Sequence, residues 1–247
     1  METTRGPGPS SLVIADRGAS AEAPEHTIAA FELALERGAD GIKLDVRLSA
    51  DHHPVLARDF ALDRTTDGSG PVHAHSVREL KRLDAGGWRG SGFRGQRIQT
   101  LAEVLERFRD RSRFWIEVPA GSDTYPDIEE RIVSTLEIYD VLGQTVVQSA
   151  EPRILDRMRS LNPEVALGLV LARAPLSDQI RGGSSLHALC PSADIVTEEA
   201  LRRIGRSGLA TYVWTVDEPA RMDRLIEWGA SGIVTGRPGL LRARLAG

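Results

Sequence analysis

The chain has 247 residues, 41% of them hydrophobic and 27% charged, and a formal net charge of −4. That is enough to bury one sizeable apolar core and tight for two, and the composition is that of a globular protein rather than a disordered or fibrous one. The interspersed charges leave no basic face for nucleic acid or an anionic membrane, and the single cysteine, Cys190, excludes an intrachain disulfide or a thiolate metal cluster.

Residues 1–10, rich in Gly, Pro and small polar side chains, read as a flexible leader ahead of one domain over residues 11–247. With no apolar signal segment and no run of about 18 apolar residues, cytoplasmic residence is expected, without a membrane span. From Ser11 onward short β-branched runs alternate with amphipathic stretches, the rhythm of repeated βα units. Eight strands are expected: Ser11–Asp16, Gly41–Val46, Arg113–Val118, Thr145–Ser149, Val165–Leu171, Ala193–Val196, Ala210–Val216 and Gly232–Thr235. A ninth run, Pro54–Arg58, follows Val46 too closely for a parallel crossover and is expected to fold back as a hairpin. Glycines from Gly68 to Gly95 mark a small loop-rich insertion near residues 60–98, with one helix near Val77–Leu83. The periodicity fits a closed (β/α)8 TIM barrel and a doubly wound open sheet equally well. No glycine-rich phosphate fingerprint and no fixed-period repeat appears.

Two segments carry a resemblance. ADRGASAEAPEHTIAAFELALERGADGIKLDVRLSADHHPVLARDFALDRTTDGSG, starting at Ala15, and the tail YVWTVDEPARMDRLIEWGASGIVTGRPGLL resemble the glycerophosphodiester phosphodiesterase family in order as well as content. The resemblance spans nearly the whole domain and implies a (β/α)8 barrel with its site at the C-terminal ends of the strands, where Asp16, Asp45 and Glu117 fall. It also implies a magnesium or calcium ion held by carboxylates against the substrate phosphate, with two histidines as acid and base.

Several positions depart from that pattern. The histidine opening the family's His-Arg-Gly corresponds to Asp16, followed by Arg17 and Gly18. The family's Pro-Glu-Asn keeps its carboxylate as Glu25, with His26 in the asparagine position. The carboxylate pair of Glu-Leu-Asp-Val, on one side of a strand by the two-residue period, is Lys43 and Asp45 here. The second histidine, of His-Asp, corresponds to Arg58 before Asp59, and a guanidinium cannot act as a base at neutral pH. Glu117 is kept, but the lysine two residues on becomes Pro119, and the closing aspartate becomes Gly236.

An ammonium at Lys43, beside Glu25, Asp45 and Glu117, repels a dication and satisfies those carboxylates itself, so no metal cofactor is expected. Any residual metal would fall to Glu25, Asp45 and Glu117. The ordinary reading of these side chains is ion pairing: Glu25 near a helix start, Asp45 and Glu117 paired with Lys43, Arg17 and Arg58 structural. The functional reading gives Asp16, Lys43 and Arg58 the catalytic positions and Arg17, Glu25, Asp45, Asp59, Glu117 and Trp214 ligand contacts. His52 and His53 belong to the hairpin turn, whereas His73 or His75 could lean over the mouth. Three functions follow: a barrel binding a phosphorylated or anionic small molecule without metal-dependent hydrolysis, an altered enzyme of a biosynthetic pathway with Asp16 as acid or base, and a phosphoric diester hydrolase with replaced acid and base. Oligomeric state is not legible.

Overall fold

A computed structural model describes residues 11–173 and 186–246. Eight parallel strands close on themselves: β1 (Leu12–Asp16), β2 (Gly41–Leu48), β4 (Arg113–Glu117), β5 (Thr145–Ser149), β6 (Ala166–Leu171), β7 (Ala188–Pro191), β8 (Ala210–Val213) and β9 (Gly232–Thr235). Closure is made by β1, which pairs with β9 on one side and β2 on the other, so the fold is a (β/α)8 TIM barrel and not an open sheet. Helices lie between the strands: α1 (Ile28–Glu36) after β1, α3 (Leu101–Phe108) before β4, α4 (Ile128–Ile138) after it, and α5 (Pro152–Leu161) after β5. The leader expected over residues 1–10 lies outside the described residues. No described helix is long and apolar enough to cross a membrane.

The two-residue strand period sorts the core into two shells. Ile42, Leu44, Val46, Phe114 and Ile116 point outward into the large apolar layer beneath the helices. Ile14, Trp115 and Val234 point inward and, with Tyr212, plug the lower barrel; the Trp115 and Tyr212 rings meet edge to face at 5.1 Å. The plug stops one layer short of the strand ends. The next inward positions on β1, β2 and β4 are Asp16, Lys43, Asp45 and Glu117.

Pro54–Leu56 (β3) pairs antiparallel with Val46–Leu48, as expected of the hairpin. The insertion beyond it has its own small core of Val55, Leu62, Val72, Leu80, Ala85 and Ile98, and its helix α2 (Val77–Leu80) starts in a Ser76/Glu79 capping box. One strand expectation is overturned. Ala193–Ile195 is a single 3₁₀ turn capped by the Ser192 hydroxyl, and the barrel strand is Ala188–Pro191 just before it. Pro191 makes that run look unlike a strand, but it is the last residue, where its carbonyl still accepts from the Trp214 N–H.

Candidate functional site

The strand ends surround a cavity of about 190 Å³ lined by Asp16, Arg17, Lys43, Asp45, Arg58, Glu117, Pro119, Trp214 and Thr215. At its floor the Lys43 ammonium lies 2.7 Å from Oδ1 of Asp45, 2.9 Å from Oε2 of Glu117 and 3.7 Å from Oδ1 of Asp16. Strand register forces this grouping, because Asp16 stands opposite Lys43 and Asp45 opposite Glu117 on neighbouring strands. Burial alone would strip the proton from Lys43; the carboxylates of Asp45, Glu117 and Asp16 outweigh it and hold the ammonium above the usual lysine range. Gln148, fully buried on β5, donates to Glu117 Oε2 at 3.1 Å, and the Thr215 hydroxyl donates to Asp16 Oδ2 at 3.3 Å.

Arg17 roofs the same cluster. It sits at φ 60° and is followed by Gly18 at φ 88°, a left-handed pair that turns the chain back over the strand end. Glycine is required at residue 18, since a Cβ there would lie 2.7 Å from the Ala30 backbone. The guanidinium reaches Asp16 Oδ2 at 2.9 Å and Glu25 Oε2 at 2.8 Å, with Asp45 Oδ2 at 3.9 Å. Burial would raise the Asp16 carboxyl; Lys43 and Arg17 outweigh it and hold it at about 2. Asp45 is likewise held below the usual carboxylate range, against burial, chiefly by Lys43.

Glu25 and Asp59 are not part of the cavity lining. Arg64, from the insertion, grips Glu25 with two hydrogen bonds of 2.9 and 2.7 Å and Asp59 with one of 2.5 Å. These carboxylates instead flank an adjoining void of about 20 Å³, room for one water, together with His26, Arg58, Thr65 and Thr66. Burial would raise the Glu25 carboxyl, but the hydrogen bonds from Arg64 and the charge of Arg17 hold it at about 2.

His26 is the site residue that sequence reasoning passed over. It is 94% buried, at φ 58°, and its Nε2 accepts the Asp45 backbone N–H at 3.1 Å. That bond places the neutral ring's proton on Nδ1. Burial pulls its pKa down to about 4, against the attraction of Asp45 and Glu25. Its left-handed backbone, which Asn and His tolerate better than most residues, is what aims the ring, and that conformation is not marked in the sequence. The insertion histidines do not reach the cavity: His73 packs against Phe60 with ring centroids 4.9 Å apart, and Nδ1 of His75 lies 3.0 Å from the Pro71 carbonyl. Trp214 does line it, its Nε1 donating to the Cys190 carbonyl at 2.6 Å. Gly236 also finds a reason: its N–H donates to Asp217, and a Cβ there would approach the Ser20 hydroxyl to 2.9 Å.

The residues at the mouth do not fit a divalent cation. Lys43 already bridges Oδ1 of Asp45 and Oε2 of Glu117, Arg17 and Arg64 hold Glu25, and Oδ2 of Asp45, buried without a hydrogen-bond partner, faces the Arg17 guanidinium at 3.9 Å. Among the described residues no group of three or more His, Cys, Asp or Glu side chains is disposed to hold a metal.

The profile of the glycerophosphoryl diester phosphodiesterase family matches residues 17–240. A glycerophosphodiester phosphodiesterase of Caldanaerobacter subterraneus is 37% identical over 92% of this chain and 95% of its own, and one of Bacillus subtilis is 34% identical over 93% and 84%. Among solved structures, a phosphodiesterase of Oleispira antarctica in complex with the product sn-glycerol-3-phosphate superposes with a TM-score of 0.89 at 26% identity, covering 96% of this chain and 98% of that one. Barrel, strand-end site and sequence relationship agree over nearly the whole length, and the chain belongs to the glycerophosphoryl diester phosphodiesterase family.

Proposed function

We propose that the barrel mouth binds a phosphorylated or other anionic small molecule and does not carry out the dication-dependent phosphodiester hydrolysis for which its relatives are named. The observation that carries this reading is the Lys43 ammonium between Asp45 and Glu117, in a position where the family resemblance implies a metal-ligand carboxylate. An ammonium can neutralise neighbouring carboxylates, but it cannot polarise a phosphoryl oxygen as a Lewis acid or lower the pKa of a bound water.

Proton donation is equally unsupported. Arg58 stands at one histidine position, and Asp16 at the other is held ionised by Lys43 and Arg17, so it has no proton to give near neutrality. His26 is buried and its basic nitrogen is occupied by the Asp45 N–H. An altered enzyme with Asp16 as acid therefore has less behind it than a binding protein, and Asp16 as base would have to accept its proton while paired with Arg17 and Lys43.

Thermal shift with glycerophosphocholine and sn-glycerol 3-phosphate, with and without magnesium or calcium, followed by a hydrolysis assay, tests the reading. Stabilisation by a phosphate ligand that is indifferent to dications and occurs without turnover supports it. Dication-dependent turnover contradicts it.

A further inference from the structure

Charges of both signs are interspersed along most of the chain, but they separate in the insertion. Residues 77–97 carry Arg78, Lys81, Arg82, Arg89, Arg94 and Arg97 against only Glu79 and Asp84. Both acids are spent locally. Glu79 closes the Ser76 capping box, and Asp84 accepts the amides of Gly86 at 2.8 Å, Gly87 at 2.9 Å and Gly95 at 3.1 Å. Lys81 pairs with Glu103, whereas all five arginines are exposed and none lies within ion-pair distance of a carboxylate among the described residues. Two are tied to backbone carbonyls instead. Arg97 donates to those of Arg82 at 3.2 Å and Leu83 at 2.9 Å, and Arg89 to that of Ala21, in the segment between β1 and α1 that also carries Arg17 over the mouth.

The loop that Asp84 holds together also presents two aromatic rings. Trp88 is 39% exposed and Phe93 partly exposed, and neither joins the insertion's own core. The indole Nε1 already donates to the Ala85 carbonyl at 2.9 Å, and the amides of Arg89, Phe93, Arg94 and Gly95 are satisfied inside the loop. The rings can therefore enter an apolar medium without stranding those donors. A Cβ added at Gly90, Gly92 or Gly95 would meet nothing within 4 Å, so the tip projects into open space. A projection suits a flat interface better than a single-stranded nucleic acid, which needs a groove that tracks its backbone. From projecting rings set among unpaired arginines, we infer that this loop docks the protein on a membrane surface rich in anionic phospholipid. Trp88 and Phe93 lie at headgroup depth and the arginines meet the lipid phosphates. Such docking is independent of which ligand the mouth takes, and through the Arg89–Ala21 contact it sets the rim of the mouth beside the bilayer.

Co-sedimentation of the full chain with vesicles of phosphatidylcholine, alone or mixed with phosphatidylglycerol, tests the docking. Binding is expected to the mixed vesicles only, and to weaken between about 0.1 M and about 1 M salt, as the Debye length falls from about 10 Å to about 3 Å. Arg94→Gln, which removes an exposed side chain with no hydrogen bond of its own among the described residues, is expected to weaken binding about fivefold. Phe93→Ser is expected to weaken it roughly tenfold while leaving Tm unchanged. Arg206→Gln makes the same charge change at the far end of the helix Glu198–Arg206, away from the strand ends, and is expected to bind like the parent. Equal binding to both vesicle types, or no loss in Arg94→Gln and Phe93→Ser, overturns the proposal. So does capture of a single-stranded oligonucleotide through Arg94 with no vesicle binding, which reassigns the loop to nucleic acid.

Discussion

Nζ of Lys43 lies 2.7 Å from Oδ1 of Asp45, two residues along the same strand and on the same side of it, where two inward carboxylates would otherwise face each other. The pair is 93–95% buried, so neither charge is offset by water. Removing one partner of such a buried pair costs about 3–5 kcal/mol, because the other is left uncompensated. Lys43→Ala is therefore expected to lower Tm by roughly 10 °C. It also leaves Asp16, Asp45 and Glu117 facing one another, so millimolar calcium is expected to restore several degrees in the variant and none in the parent chain. Differential scanning calorimetry with and without calcium checks both. Equal responses in the two proteins would contradict the pairing argument.

Reinstating the residues that the family pattern places at the three exchanged positions, Asp16→His, Lys43→Glu and Arg58→His together, is expected to create a dication site that the parent lacks. Titration calorimetry with calcium reads this. Failure of a folded triple variant to bind would mean that Arg64 and Arg17, which hold Glu25, have closed the site independently of Lys43.

His26 predicts an acid-side loss of stability. Its folded pKa of about 4 lies below the ordinary 6.5, so the unfolded chain takes up a proton first as pH falls. The contribution is complete above pH 6.5 and is lost as pH falls toward 4, a change on the order of 3 kcal/mol. His26→Asn keeps an acceptor for the Asp45 N–H and suits the left-handed turn, and it is expected to flatten Tm between pH 6.5 and 4.5. Below that range Asp16 and Glu25, both held at about 2, make both proteins lose stability as they protonate. Parallel Tm curves for the two proteins would exclude His26 as the cause.

Pro119 lines the cavity at the position where the family resemblance implies a lysine. Pro119→Lys adds a fourth cation to the lining, and it is expected to raise the affinity for sn-glycerol 3-phosphate at pH 7.5 about tenfold, more than for a singly charged diester. Competition between the two ligands in a thermal-shift assay measures it.

Much of this was legible in the chain because strand period and motif order are local properties. The strand period puts Lys43 and Asp45 on one side of their strand, the family resemblance puts Asp16, Asp45 and Glu117 at strand ends, and their convergence follows from barrel closure. What was not legible depended on backbone shape or on distant partners. Arg64 is 39 residues from Glu25, so nothing local marks the two hydrogen bonds that remove Glu25 from the cavity. His26 was unremarkable until its left-handed turn aimed Nε2 at the Asp45 amide. The strand at Ala188–Pro191 was missed because a terminal proline reads as a breaker, although a strand's last residue can do without its N–H.

The most direct test of the account is titration of the unmodified protein with magnesium and with calcium in the presence of glycerophosphocholine, following release of sn-glycerol 3-phosphate in the same samples. The account predicts no stoichiometric dication site and no dication-stimulated release. A tight one-to-one site accompanied by dication-dependent release would contradict it.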